Sequence, residues 1–217
     1  GLIGWGYLVS AFLYLAVRDN ILNTVVAMLF FLALNILSKL ELLNSLNPLK
    51  PILGVIIEGN VPFIVITGLL TTLILKKLSK SDYRRTIVTI VAIGIFCIIT
   101  GLILRKWFII SKIQATPSWG FICNGISMIL FALLYWIIDI KKHTKWTFFL
   151  KPAGENSLTT YLAPDIIYYL IWSTGIPILI YKQSDVPLII IAGSVIWALL
   201  MVGLTAILLR INIKLKL

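Results

Sequence analysis

The chain has 217 residues, 60% of them hydrophobic and 12% charged, with a formal net charge of +11. Together with a mean hydropathy of +1.04, that composition excludes an ordinary soluble domain and marks an integral membrane protein. The lysines and arginines fall in short clusters between apolar runs, where membrane topology accounts for them, so the charge is not read as a nucleic-acid surface.

A hydrocarbon core about 30 Å thick takes roughly 20 apolar residues in helical form. Seven segments approach that length: 2–17, 21–38, 56–75, 86–104, 118–139, 155–176 and 187–209. The expected fold is all-α, a polytopic transmembrane helix bundle of about seven spans forming one integral membrane domain over 1–217. The opening GLIGWGY has no initiator methionine, basic n-region or cleavage site. It reads as the interior of a longer protein, of which this chain is expected to be the carboxyl-terminal part. The connections NSLNPLKP, KKLSKSDYRR and KQSDVP are short and rich in turn-forming residues.

Alternate connections divide the basic residues thirteen to six. Arg18, Lys76, Lys77, Lys80, Arg84, Arg85, Lys141, Lys142, Lys145, Lys151, Arg210, Lys214 and Lys216 fall on one side, and Lys39, Lys50, Arg105, Lys106, Lys112 and Lys182 on the other. The richer side is expected to be cytoplasmic, which places the carboxyl terminus inside.

Polar residues within apolar runs need a partner, water or a function. In IIEGNVPF, Asn60 and Pro62 fit a helix start, with Glu58 beside its amino end. The alternative is that PLKPILGVIIEGN dips back into the outer leaflet and presents Glu58 to a cavity. Cys97 and Cys123 lie in apolar runs without metal-ligand spacing and read as small buried hydrophobes. In SKIQATPSWGFICNG, Lys112 and Gln114 are polar donors, Thr116-Pro117-Ser118 signals a helix start, and Trp119 sits at the interface. Asn124 and Ser127, a turn deeper, suit helix–helix hydrogen bonds. His143, the only histidine, stands among lysines in DIKKHTKW and reads as a solvated loop residue. No Ser-His-Asp grouping, HExxH, P-loop or GxGxxG occurs, and no metal site is expected.

Asp165 is the most conspicuous polar residue. With a helix starting near Gly154 it lies about 16 Å along the axis, near mid-membrane. Ser157, Tyr161, Asp165, Tyr168 and Trp172 share one helical face. That face is expected to look at protein or a wet cavity, and Pro164 to kink the helix and free a carbonyl near Tyr161.

Three stretches together resemble a known family. PAGENSLTTY (152–161) is similar to the glycine, asparagine, small-residue and tyrosine pattern that opens the penultimate helix of the transmembrane acetyltransferases related to heparan-alpha-glucosaminide N-acetyltransferase, in particular a bacterial branch. SKIQATPSW (111–119) resembles the family's lysine-containing extracytoplasmic loop, and GLIGWGYLVSAFLYL resembles a mid-protein helix. The resemblance implies a polytopic enzyme in the bacterial inner membrane that moves acetyl from cytoplasmic acetyl-CoA to an amino sugar or glycan outside. It also implies partner helices on the amino-terminal side carrying the catalytic histidine, which no residue here matches. Asn156, Tyr161 and Asp165 are then expected to line the site, with Lys112 and Trp119 near its outer mouth. Two alternatives stay open: a transporter with a midplane site at Asp165, and a scaffold whose polar residues only mediate packing.

Overall fold

The computed structural model describes residues 2–78, 82–175 and 184–211, and every regular element among them is helical. The chain divides into two units, Gly1–Lys142 and His143–Leu217. The loop expected at 182–186 lies partly outside the described residues, as do Lys80, Lys182, Lys214 and Lys216 wholly.

The first unit holds α1 (Leu2–Val17), α2 (Ile21–Lys39), α3 (Lys50–Glu58), α4 (Asn60–Leu78), α5 (Tyr83–Leu104) and α6 (Pro117–Leu134), the last continued by a π-helical turn, Tyr135–Ile140. Local chemistry sets the helix starts. Asn20 caps α2 by accepting a hydrogen bond from the Asn23 N–H at 3.2 Å. Asp82 does the same for α5 through the Arg84 N–H at 2.8 Å. Pro117 opens α6, where its missing N–H costs nothing. In the second unit are α7 (Lys151–Glu155), α8 (Ser157–Thr174) and α9 (Pro187–Arg210). Here α8 meets α9 through a Thr160–Thr205 hydroxyl contact of 2.9 Å and a stacked Tyr168–Trp197 pair with ring centroids 4.8 Å apart.

Among the described residues, five stretches are long and apolar enough to cross a bilayer: Ile21–Lys39, Asn44–Leu78, Tyr83–Leu104, Pro117–Ile140 and Pro187–Arg210. The two other expected spans are weaker. Gly4–Val17 is apolar but short, and α8 is diluted by Asp165, Pro164 and its hydroxyl-bearing residues. The expected span 56–75 is the second half of a longer element, because Gly59 (φ +67°) breaks the helix between α3 and α4.

Burial runs opposite to that of a water-soluble protein. Thr24, Asn35, Thr86, Ser118 and Thr205 are fully buried, while Phe12, Leu15, Leu22, Phe96, Leu130 and Leu200 are exposed. Water would penalise such a surface, whereas hydrocarbon accepts it and demands that polar groups be paired inside. The helical hydroxyls comply by donating back one turn: Thr67 to the Phe63 carbonyl, Thr71 to Thr67, and Thr205 to Met201, each at 2.8 Å. The chain is an integral membrane protein.

Antiparallel α5 and α6 form the closest helix pair, and glycine permits the approach. A Cβ on Gly125 would lie 2.5 Å from the Gly94 carbonyl oxygen and 2.6 Å from Ile98 Cγ1. Gly125→Ala is therefore expected to destabilise the protein by about 1–3 kcal/mol through overpacking. Gly68→Ala, where a Cβ meets nothing within 4 Å, is expected to be neutral or stabilising by up to about 1 kcal/mol. Thermal unfolding in detergent distinguishes the two, and equal shifts would remove the close-approach account.

Candidate functional site

At the α3–α4 break, four segments of the first unit are tied together by two asparagine side chains. Asn35 of α2 donates through Nδ2 to the Glu58 carbonyl at 2.8 Å and to the Ala115 carbonyl at 2.9 Å. Asn60 Nδ2 donates to the Thr116 carbonyl at 3.1 Å and reaches Asn35 Oδ1 at 3.5 Å. The loop that supplies two of these carbonyls is itself knotted: Thr116 Oγ1 accepts from the Ser111 N–H at 3.1 Å, and Ser118 Oγ donates to the Ile109 carbonyl at 2.9 Å. Asn60 is the first residue of α4, as expected, but its side chain reaches across to the loop rather than capping its own helix. Gly59 is required because a Cβ there would lie 2.3 Å from the Phe31 carbonyl oxygen.

Beside the break lies a cleft of about 430 Å³ whose lining includes Trp5, Lys50 and Glu58. Half-buried Glu58, at the end of α3, faces it together with exposed Lys50 at the start of the same helix. An aromatic face, a carboxylate and an ammonium around one cleft form a donor–acceptor set that fits a polyhydroxylated or amine-bearing molecule. Deeper between α4 and α6 is a second cleft of about 340 Å³ lined by Thr67, Thr71, Thr72, Asn124 and Ser127 among others. Buried Asn124 finds no hydrogen-bond partner for its Nδ2 among the described residues.

The other expected site residues disperse. Lys112 is exposed on the knotted loop and Trp119 is half-buried at the start of α6; neither lines the Glu58 cleft. In the second unit, Asn156 is buried at the α7–α8 junction and its Oδ1 accepts from Thr159 Oγ1 at 2.6 Å. Tyr161 and Asp165 share the exposed face of α8, apart from Asn156, and Asp165 has no hydrogen bond or ion pair to a described residue. His143 is exposed. No cluster of three metal-ligating side chains occurs among the described residues. Asn35 went unmarked in the sequence; a lone amide in the apolar run ALNILS is the signal that could have found it.

At the opposite end of the first unit, Lys76 pairs with Asp19, which also accepts from Tyr14. The hydrogen bond from Lys76 is the main reason the Asp19 carboxyl lies below its ordinary value, outweighing the opposing effect of desolvation.

The chain matches no family model, and comparison with curated proteins and with solved structures found no match.

Two asparagines of the first unit are expected to respond oppositely. Asn35→Ala removes the donor to the part-buried Glu58 and Ala115 carbonyls and should cost about 1–3 kcal/mol. Asn124→Leu deletes an amide that already lacks a partner and should be near neutral or stabilising. Detergent melting curves of both variants check this, and a destabilised Asn124→Leu would reveal a partner for that amide.

Proposed function

We propose that the chain is part of an integral membrane acetyltransferase that uses cytoplasmic acetyl-CoA and an extracytoplasmic amino-sugar or glycan acceptor. The observation that carries this reading is the placement of the SKIQATPSW segment. The stretch that resembles the family's extracytoplasmic loop is hydrogen-bonded through Ala115 and Thr116 onto the helix break that positions Glu58. In this reading the cleft of Trp5, Lys50 and Glu58 holds the acceptor. Trp5 stacks on a sugar C–H face, Glu58 accepts from a hydroxyl or ammonium, and Lys50 donates to ring oxygens. Acyl transfer itself draws on further helices of the same protein, and no catalytic residue is assigned here.

A transport reading has one observation in its favour, exposed Asp165, which stands beside Pro164 on α8 and has no partner among the described residues. An acid at such a position is expensive in lipid, and a proton- or substrate-binding role under a covering helix would account for it.

The test is Glu58→Gln in membranes from cells expressing the whole protein, with acetyl-CoA as donor and glucosamine as probe. A lost charged hydrogen bond is worth roughly 1.5–3 kcal/mol, so KM for glucosamine should rise by about 10- to 100-fold with the melting temperature unchanged. An unchanged KM, or acetylation that fails only in Asp165→Asn, would defeat the acceptor-cleft reading. Orientation is checked on the same membranes: Lys112→Cys should react with an impermeant thiol reagent in intact cells and Arg85→Cys should not.

A further inference from the structure

We infer that the groove between α5 and the end of α6 binds an anionic phospholipid, with an acyl chain along the two helices and the phosphate held between Arg84 and Lys141. This assignment is independent of the acetyltransferase reading. The groove encloses about 600 Å³ and is lined only by residues of the first unit. Its apolar lining includes Ile87, Val91, Ile129 and Leu133, with fully buried Ala132 also contributing. Its mouth is formed by Tyr83, Arg84, Trp136 and Lys141.

Both cations are held in place by aromatic rings. The Lys141 ammonium lies 5.5 Å from the Trp136 ring centroid. The Arg84 guanidinium lies 6.0 Å from the Tyr83 centroid, and its Nε donates to the Tyr83 hydroxyl at 3.3 Å. The π turn at Tyr135–Ile140 brings residues five apart into register, and the Lys141 N–H donates to the Trp136 carbonyl at 2.9 Å. Such turns recur where a helix end is shaped for function. The neighbouring acids are Asp82, whose carboxylate is engaged by the Arg84 backbone N–H, and exposed Asp139, two residues before Lys141. Among the described residues neither cation forms a salt bridge.

Charge and depth select the occupant. An apolar slot that opens onto two cations without salt-bridge partners is complementary to an amphiphile with an anionic head. Arg84 is the second residue of the 22-residue span Tyr83–Leu104, and Lys141 follows the end of the span Pro117–Ile140. Both therefore sit at the level of a bilayer's phosphates, where basic pockets between helices take acidic headgroups. A zwitterionic headgroup would bring its own cation against them, and free phosphate would leave the slot empty.

The experiment uses the protein in phosphatidylcholine nanodiscs titrated with dibrominated phosphatidylglycerol, read as tryptophan quenching. Of the seven tryptophans, the component belonging to the groove is the one lost in Trp136→Phe. Saturable quenching of that component is expected. At about fivefold per cation, it should be about 25-fold weaker in the Arg84→Gln/Lys141→Gln double variant. Val88→Phe places bulk on an exposed groove position with both cations intact and no added tryptophan, and should abolish the saturable component while the protein remains folded. Equal quenching by dibrominated phosphatidylcholine, an unchanged double variant, or displacement by millimolar inorganic phosphate would each overturn the assignment.

Discussion

The pairing of Asn35 and Asn60 across the α3–α4 break is the interaction on which the first unit depends. A helix interrupted within a membrane exposes carbonyls that no water satisfies, and each costs several kcal/mol if left alone. Gly59 makes the interruption sterically possible by letting the backbone pass against Phe31. Asn35 then takes up the Glu58 carbonyl that α3 leaves behind and the Ala115 carbonyl of the incoming loop. Asn60 binds the adjoining carbonyl of Thr116. One pair of amides thus fixes α2, α3, α4 and the entry to α6, and the direction of α3 determines where Glu58 points its cleft.

The rest of the first unit follows the same rule by cheaper means. Thr67 and Thr71 donate to their own helix, and the largest helix contact is made by removing side chains at Gly94 and Gly125 rather than by adding polar ones. Against that background an unsatisfied amide stands out. Asn124 Nδ2 has no partner among the described residues although its residue is buried, and the α4–α6 cleft around it is lined with hydroxyls. Packing alone does not require an amide at that position, so the second cleft is a polar feature separate from the structural pair at the break.

Much of the architecture was legible because its determinants are local. Thr116-Pro117-Ser118 signals a helix start, and α6 begins at Pro117; Asn20 and Asp82 act just as locally as the caps of α2 and α5. Periodicity grouped Ser157, Tyr161, Asp165, Tyr168 and Trp172 on one face; four of them are exposed, but Tyr168 is half-buried and stacks on Trp197. Which way that face points is a tertiary fact, and within the chain most of it is exposed while Asn156 and Thr159 are buried. The break resisted reading for the same reason. Asn35 meets carbonyls 23 and 80 residues away in sequence, and nothing near Asn35 announces them. Glu58 was legible as an anomaly, but the cleft it shares with Trp5 and Lys50 depends on how α1 packs against α3.

The two ends of the first unit differ in arrangement more than in charge. Arg18, Lys76, Lys77, Arg84, Arg85, Lys141 and Lys142 stand at one end, and Lys39, Lys50, Arg105, Lys106 and Lys112 at the other. Counted over the described residues of this unit, seven against five is a modest bias for orientation. At the first end, however, two cations lie on aromatic rings above an apolar groove, and a third is neutralised by Asp19. At the second, a lysine and a carboxylate share a cleft with a tryptophan. Fixed cations over an apolar slot favour an anion with a hydrophobic tail, whereas mixed charge beside an aromatic face favours a polar, uncharged or amine-bearing molecule. The division of chemistry between the two ends therefore rests on which groups each side chain is held against, a property that a count of lysines and arginines cannot register.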